Sequence, residues 1–215
     1  VTWRALYDGV SSLAAALRAR GVVAGDRVGA IVANIPETVT AMLACTSIGA
    51  IWSSCSPDFG LEGILDRLEQ ISPKILFAVD GYHYNGKEID VRKKIAAVAK
   101  TIESVETVVW IPFLGGRDIL EGITLSSMQA AYKPSEIEFE SLPFNHPLYI
   151  LFSSGTTGKP KCIVHGAGGT LLQHLKEHQL HCDLKPNDRY FYFTTCGWMM
   201  WNWLVSGLAS GATLM

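Results

Sequence analysis

The sequence carries little charge and almost no excess of either sign. Its 18 Lys and Arg residues nearly balance 20 Asp and Glu residues, which leaves a formal net charge of −2. Such a balance supplies no general attraction to phosphate backbones or anionic membranes, and it argues against a nucleic-acid-binding protein. Charged residues make up only 18% of the chain and apolar residues 48%, so we expect a folded protein with a substantial core rather than disorder.

Paired cysteines and hydrolase motifs are also absent. The five cysteines are odd in number, form no C-x-x-C pair and lie mostly in apolar runs, namely Cys45, Cys55, Cys162, Cys182 and Cys196. This usage is typical of reduced core thiols, excludes a disulfide framework and predicts a cytoplasmic protein. The sequence contains no G-x-S-x-G nucleophile motif, so it offers no support for that class of hydrolase.

One long uncharged stretch is present, from Tyr190 to Met215. Its length would span a bilayer, but three glycines and several polar side chains interrupt it, and no Lys or Arg cluster flanks it. We therefore predict a strand, a buried helix and a second strand here, with no membrane span.

Helical and extended patterns are predicted to alternate along the chain. Thr2 can cap a first helix that ends at Gly21, and Pro36 suits the first turn of a second helix. Further helices are predicted at 61–71, 88–102 and 170–180, and strands at 27–33, 49–53, 74–79, 107–111, 148–152 and 190–194. Continuous apolar strands such as 74–79 are typical of parallel sheets covered by helices on both faces, so the predicted class is α/β.

The chain is predicted to contain two α/β blocks and a connection. Residues 1–114 form the first block, residues 115–147 a proline-containing surface connection, and residues 148–215 a second, incomplete block. The sequence opens without an initiator Met and stops inside a predicted buried strand. We therefore expect it to be part of a longer protein.

A loop rich in glycine, hydroxyl groups and lysine follows the predicted strand 148–152. Ligands of α/β sheets bind outside the carboxyl ends of the strands, and the glycines of this loop allow its amides to converge on an anion. The loop therefore suits a polyphosphate, although its spacing is not that of a Walker A loop. An ordinary turn between a strand and a helix is the alternative. The loop is Ser153-Ser154-Gly155-Thr156-Thr157-Gly158-Lys159-Pro160-Lys161.

The segment Phe152–Lys161 resembles the phosphate-loop signature of the AMP-forming acyl-CoA synthetases, in the adenylate-forming superfamily. Further resemblances occur in the same order as in that family, in Ser47–Trp52, at Gly197-Trp198 and in Gly211–Thr213. Segments 55–60, 84–87 and 194–202 look most like the acetoacetate-activating branch. The resemblance implies part of the large N-terminal domain of an adenylate-forming enzyme, with mostly parallel sheets covered by helices and about a third of the whole enzyme.

The resemblance also implies an activity and its cofactors. Such enzymes use ATP, Mg²⁺ and coenzyme A to activate a carboxylic acid, here acetoacetate, through an acyl-adenylate. There are two alternatives. The substrate is another short-chain acid, such as acetate or propionate, or the chain is a non-catalytic nucleotide-binding fragment. The catalytic lysine, the acidic metal motif and the C-terminal domain are expected beyond Met215, so no catalytic or metal residue is assigned. The residues implied to bind the ATP phosphates are Ser153, Ser154, Gly155, Thr156, Thr157, Gly158, Lys159 and Lys161.

Two further groups of residues match family positions. Trp198, Met199 and Met200 match positions that line the acyl pocket, and the alternative is an ordinary buried aromatic cluster. Tyr84, Gly86 and Lys87 lie where related synthetases place an arginine patch for coenzyme A. Here a lysine and a tyrosine replace those arginines, so bidentate phosphate recognition is lost and a solvated surface is the alternative.

A cluster of histidines has the spacing of a metal site but not its usual context. His174 and His178 would share one helix face, with His181 and Cys182 following. The H-E-x-x-H order is absent, and the resemblance implies no metal at this position. His165, just after the phosphate loop, is either a supporting contact to that loop or a core residue.

Overall fold

The structure is a computed structural model that describes residues 1–115, 118–153 and 158–215. Its helices are α1 (Trp3–Ala19), α2 (Pro36–Ser47), α3 (Leu61–Leu68), α4 (Arg92–Thr101), α5 (Leu125–Ala130), α6 (Ala167–Lys176) and α7 (Met199–Ser206). Its strands are β1 (Arg27–Ile31), β2 (Ile51–Cys55), β3 (Ile75–Val79), β4 (Gly81–Tyr84), β5 (Lys87–Asp90), β6 (Thr107–Ile111), β7 (Ile123–Thr124), β8 (Pro147–Phe152), β9 (Cys162–Gly166), β10 (Arg189–Tyr190) and β11 (Thr213–Leu214).

Within the described residues, a seven-stranded sheet organises the fold, in the order β7-β6-β3-β1-β2-β8-β9. All neighbouring pairs are parallel except β8 and β9, which are antiparallel. The carboxyl ends of the parallel strands therefore lie at one edge of the sheet, where α/β proteins bind their ligands. The division into two blocks and a connection remains a prediction, and this sheet contains strands from all three segments.

Helices cover both faces of the sheet. On one face, Leu13 of α1 and Trp201 of α7 pack in the same apolar cluster as Phe77 of β3. On the other face, Ile64 of α3 and Ile95 of α4 pack in a second cluster. Since β1, β2, β3, β6 and β8 each contribute to both clusters, their apolar runs are continuous rather than alternating. The predicted α/β class, with a mostly parallel sheet covered by helices, is confirmed.

Local helix signals predicted several boundaries correctly. The Thr2 hydroxyl accepts a hydrogen bond of 3.2 Å from the amide of Ala5, as an N-cap residue does. Gly21 has a φ of +74° just after α1, and Pro36 occupies the first turn of α2. These helix boundaries depend on interactions between residues that are close in sequence, so residue type alone predicts them.

The predicted helix 88–102 is wrong in its first four residues. Residues 87–90 form β5, which pairs with β4 as a hairpin, and α4 begins only at Arg92. Asn85 and Gly86 have φ values of +48° and +73°, the positive values that a two-residue type I′ turn requires at both positions. The Asn-Gly dipeptide is a strong hairpin signal, and the helical interpretation overlooked it.

A strand that was not predicted follows the phosphate loop. β9 runs antiparallel to β8, with Phe152 paired to Cys162, so the loop joins two strands rather than a strand and a helix. Ile163 and Val164 are 47% and 56% exposed, because β9 is the edge strand of the sheet in the described part of the chain. The three apolar residues Cys162-Ile163-Val164, flanked by Lys161 and His165, form too short a run to predict a strand.

The last predicted elements are shorter than expected. Of the predicted strand 190–194, only Tyr190 lies in a strand, the two-residue β10, and Phe193 is 87% exposed. The helix predicted at 170–180 is α6, which begins at Ala167 and continues into a π-turn at Glu177–His181. At the end of the chain, the strand expected to be buried is the two-residue β11, whose Thr213 is exposed.

Candidate functional site

The predicted site residues follow three strands that end at the same edge of the sheet. The phosphate loop follows β8, the hairpin of β4 and β5 follows β3, and the segment before α7 contacts the end of β2. β2 is the direct neighbour of β8, whereas β3 is three strand positions away from β8. At about 4.8 Å for each position, the hairpin begins about 14 Å from the start of the phosphate loop along the sheet edge.

The two arms of the phosphate loop are joined at its base. The amide of Ser153 donates to the carbonyl of Lys161 at 3.0 Å, and the amide of Lys161 donates to the Ser153 hydroxyl oxygen at 3.3 Å. The predicted phosphate-binding residues Ser154, Gly155, Thr156 and Thr157 lie outside the described residues. Because the Ser153 oxygen is an acceptor in this contact, its O–H proton remains available for donation to a phosphate oxygen.

The two remaining predicted residues of the loop lie on its exit arm, residues 158–162, which leads into β9. Gly158 has a φ of +116°, a conformation that favours glycine, and a Cβ built there meets no atom within 4 Å. The ammonium of Lys159 lies 3.3 Å from a carboxylate oxygen of Asp66, and both side chains are substantially exposed. An exposed ion pair of this kind contributes little stability, so a bound polyphosphate can replace Asp66 as the partner of Lys159.

The segment before α7 is attached to the end of β2 by a buried hydrogen bond. The hydroxyl of Ser54 donates to the carbonyl of Cys196 at 2.6 Å, and it accepts from the indole N–H of Trp52 at 3.1 Å. A Cβ built on Gly197 would lie 3.5 Å from the amide nitrogen of Ser56. The chain that leads into Trp198 is therefore held against the carboxyl end of the sheet, beside the strand that precedes the phosphate loop.

The aromatic motif of α7 divides into an exposed and a buried part. Trp198 and Met199 are 59% and 44% exposed at the helix start, and Met200 is partly buried. Trp201 is fully buried and donates its indole N–H to the side-chain oxygen of Asn34 at 2.9 Å. The alternative of an ordinary core cluster therefore describes Trp201, whereas Trp198 and Met199 are free to contact a ligand.

The predicted coenzyme A residues lie at the tip of the hairpin. Tyr84 and Lys87 are paired directly across it, so their side chains share one face, and Gly86 lies in the turn between them. Both side chains are exposed, Tyr84 to 69%. Nearby Arg92 is already engaged, since it forms an ion pair with Asp90 at 2.7 Å.

Lys94 of α4 has a structural role that the sequence did not predict. Its ammonium donates to the carbonyls of Pro57 and Phe59 at 2.6 and 2.7 Å and holds the loop after β2. Burial lowers the pKa of Lys94, and Asp58 opposes that effect. A lysine in a basic stretch resembles any solvated charge, so nothing in its sequence context indicated this contact.

The histidine cluster is a packing cluster with one polar contact. His174 is buried and shares a hydrogen bond of 2.8 Å with the hydroxyl of Ser206, and the His178 ring packs at 4.6 Å from Trp203. Within residues 1–115, 118–153 and 158–215, no three His, Cys, Asp or Glu side chains are grouped to hold a metal ion. His165 packs on Tyr149, with ring centroids 4.9 Å apart, in β9 beside the phosphate-loop strand.

The buried thiols are not arranged as nucleophiles. Burial raises the pKa of Cys55 to about 12, and nearby Arg67 opposes this only in part. Burial likewise raises the pKa of Cys45 and of Cys196. A thiol acts as a nucleophile in its thiolate form, so these three cysteines are core residues.

A cavity of about 530 Å³ lies between the starts of α1 and α2 and the end of α7. Its lining is mostly apolar, with Leu6, Val39, Leu204 and Leu208 among the residues that contribute. None of the predicted site residues lines it.

In the described part of the chain, no helix has the length and apolar character needed to cross a membrane.

Comparisons with known proteins agree with the resemblance of the phosphate loop. The family described as AMP-binding enzyme matches residues 1–215. The acetoacetyl-coenzyme A synthetase of Rhizobium meliloti (strain 1021) is 59% identical over 219 residues, which cover 100% of this chain and 33% of that protein. The acetoacetyl-CoA synthetase of Gallus gallus is 50% identical over 224 residues, which cover 100% of this chain and 34% of that protein.

A solved structure of a related enzyme has the same fold. The acetoacetyl-CoA synthetase from Streptomyces lividans superposes with a TM-score of 0.96 at 48% identity, over 100% of this chain and 33% of that chain. The chain therefore spans about a third of the length of the curated relatives that it matches. The family predicted from the phosphate loop is confirmed.

Proposed function

The chain belongs to the AMP-binding enzyme family, and on that premise we propose that it is part of an ATP-dependent, AMP-forming ligase that converts acetoacetate to acetoacetyl-CoA. The observation that carries this proposal is its 59% identity, over the whole chain, to an acetoacetyl-coenzyme A synthetase. The solved structure with a TM-score of 0.96 is also an acetoacetyl-CoA synthetase and supports the same substrate.

The proposed reaction has two steps. A carboxylate oxygen of acetoacetate attacks the α-phosphorus of MgATP, a P–O bond forms, and the bond to the leaving pyrophosphate breaks. The thiol of coenzyme A then loses its proton and attacks the acyl carbonyl, and AMP leaves. Both steps need oriented reactants and compensation of negative charge, which a preorganised binding site supplies.

The phosphate loop is proposed to bind and orient the β- and γ-phosphates. Among the contacts of the described residues, the Ser153 hydroxyl is recorded only as an acceptor, and the Lys159 ammonium is recorded only in its exposed ion pair with Asp66. These two donors are therefore available to the pyrophosphate as its charge develops. Ser154, Gly155, Thr156, Thr157, Gly158 and Lys161 are assigned to the same function by the family motif.

Trp198, Met199 and Met200 are proposed to line the acyl pocket. Two of them are exposed at the start of α7, near the end of β2, which is the neighbour of the strand that precedes the phosphate loop. An unbranched thioether adapts its shape to a short acyl chain, and an indole ring offers a flat apolar wall. Tyr84, Gly86 and Lys87 are proposed to contact the coenzyme A nucleotide through a stacking ring and a point charge.

Mg²⁺ is proposed as part of the nucleotide substrate, MgATP. The described residues offer no group of three acidic or imidazole side chains that could hold it, so no residue of this chain is assigned to the ion. A cytoplasmic location is also proposed, and the five free cysteines support a reducing compartment.

The test is pyrophosphate release by the full-length gene product with ATP and coenzyme A. Acetoacetate, acetate, propionate and 3-hydroxybutyrate are offered in parallel. We expect the highest kcat/KM with acetoacetate. A preference for acetate or propionate would support the ligase activity but contradict acetoacetate as the substrate. No pyrophosphate release with any acid would favour a non-catalytic nucleotide-binding protein.

A further inference from the structure

The exit arm of the phosphate loop rests on an element from another part of the chain. After α3, a 3₁₀ turn at Glu69–Ile71 brings Gln70 against the loop. The Gln70 side-chain nitrogen donates to the carbonyl of Pro160 at 2.8 Å, across 90 residues of sequence. One turn earlier, Asp66 makes the ion pair with Lys159 at 3.3 Å.

Gln70 uses both ends of its amide group in this contact. Its nitrogen also donates to the carbonyl of Asp66 at 2.6 Å, and its oxygen accepts from the Cys162 thiol at 3.6 Å. A primary amide has two N–H donors and one carbonyl oxygen, so each of them has a partner. The side chain therefore bridges the end of α3 to two positions of the exit arm.

The element that carries Gln70 is rigidly attached to the sheet. Ile64 and Leu68 of α3 are fully buried, and Ile71 at the end of the turn is 5% exposed, all in the apolar cluster on that face. Buried side chains in a close-packed core are held in place, so Gln70 projects from a fixed support.

The exit arm needs such a support. In the described part of the chain, β9 pairs only with β8, and its residues Cys162 to Val164 are exposed. On the entry side, the loop base is closed by the reciprocal contacts of Ser153 and Lys161. Gln70 supplies a second attachment of the exit arm, at Pro160 and Cys162.

We propose that Gln70 is a positioning residue for the phosphate loop, holding the exit arm so that Lys159 and its neighbours are in place before the nucleotide binds. This rests on the proposed function of the loop. A loop that is already ordered loses less conformational entropy when it binds a ligand, so its attachment favours nucleotide affinity. Coenzyme A and the acid are assigned to the hairpin tip and to the start of α7, so we expect their binding not to depend on this arm.

The test compares Gln70→Ala with Glu69→Ala in the full-length gene product. Glu69 is the adjacent exposed residue of the same turn and serves as the matched control. We expect Gln70→Ala to raise the KM for ATP at least fivefold, with less than a twofold change in the KM for the acid and in the KM for coenzyme A. Glu69→Ala is expected to leave all three values within twofold of the wild type.

A second variant separates hydrogen bonding from shape. Gln70→Glu keeps the size of the side chain and its acceptor oxygen but loses both N–H donors to Pro160 and Asp66. We expect it to raise the KM for ATP as Gln70→Ala does. If Gln70→Glu, or Gln70→Ala, retains the wild-type KM for ATP, the positioning role is wrong.

A measurement that needs no catalysis distinguishes this inference from the proposed function. Amide hydrogen exchange of peptides from Gly158 to Val164 is compared in the nucleotide-free wild type and the variants. We expect exchange to be several times faster in Gln70→Ala and unchanged in Glu69→Ala. Unchanged exchange in Gln70→Ala would overturn the attachment, even if the protein proved inactive as a ligase; faster exchange in an inactive protein would reject only the proposed function.

Discussion

The hydroxyl of Ser54 donates a 2.6 Å hydrogen bond to the main-chain carbonyl of Cys196, across 142 residues of sequence. It joins the carboxyl end of β2 to the segment that leads into α7. The side chain of Ser54 is only 3% exposed, so water cannot easily replace this bond. The contact determines where the exposed Trp198 stands relative to the phosphate-loop strand.

Ser54→Ala is therefore expected to impair both stability and acid binding. It leaves the Cys196 carbonyl and the Trp52 indole N–H without their buried partner, at a cost of about 1–3 kcal/mol in the free energy of unfolding. We also expect a severalfold higher KM for the acid, measured by pyrophosphate release. Ser104→Ala is the control. The Ser104 hydroxyl donates to the Pro73 carbonyl at 3.0 Å at the opposite edge of the sheet, just before β6 and β3 begin. An equal rise of the KM in both variants would contradict the role of Ser54.

The phosphate loop is expected to depend on glycine at position 158. Gly158 has a φ of +116°, and no atom lies within 4 Å of a Cβ built there. Backbone strain alone therefore opposes a side chain at this position. Gly158→Val should therefore lower the rate of adenylation more than tenfold, measured as pyrophosphate release. Thr156→Ala, which lies outside the described residues, is expected to do the same by removing a hydroxyl donor.

The control for the loop glycine is Gly169→Ala. Gly169 lies in α6, where a Cβ meets nothing within 4 Å, and alanine favours a helix by about 0.5–1 kcal/mol over glycine. This variant should keep the wild-type rate. Retained activity in Gly158→Val would show that the loop does not need its present backbone conformation.

Stability is expected to fall as the pH falls from about 6.5 to about 4. Burial, together with the neighbouring His178, lowers the pKa of His174 to about 4, although Glu177 opposes this. The unfolded chain therefore binds a proton at a higher pH than the folded protein does, and the stabilising contribution is complete above the unfolded pKa. Burial lowers the pKa of His178 too, which acts in the same direction.

The measurement is the thermal unfolding midpoint of the full-length gene product between pH 4 and pH 8. His174→Gln is expected to reduce the loss of stability below pH 6.5, and the exposed His181 provides the control variant His181→Gln. Identical pH profiles of the wild type and His174→Gln would contradict this origin of the acid sensitivity.

Coenzyme A binding is expected to depend on the hairpin tip. Lys87→Ala removes the exposed ammonium that is paired across the hairpin with Tyr84, and should raise the KM for coenzyme A about three- to tenfold without changing the KM for ATP. Lys93→Ala, an exposed lysine of α4, tests whether any nearby charge has the same effect. If the two variants match, the tip is an ordinary solvated surface.

The exposed and buried tryptophans of one motif illustrate the limit of sequence interpretation. Trp198 and Trp201 are three residues apart and share the same apolar context, yet one is 59% exposed and the other fully buried. Residue type could indicate only that an aromatic helix was present. The difference arises because Trp201 packs with the sheet and bonds to Asn34, while Trp198 is the residue before the first turn of the helix.

The sequence by itself determined the α/β class, the cap at Thr2, the start of α2 at Pro36 and the position of the phosphate loop, since apolar periodicity, proline and glycine act through neighbouring residues. Only the tertiary structure decided that β9 runs antiparallel, that Ser54 holds Cys196 and that Gln70 holds Pro160. These contacts join residues far apart in the chain, and their geometry exists only once the sheet and its helices have packed together.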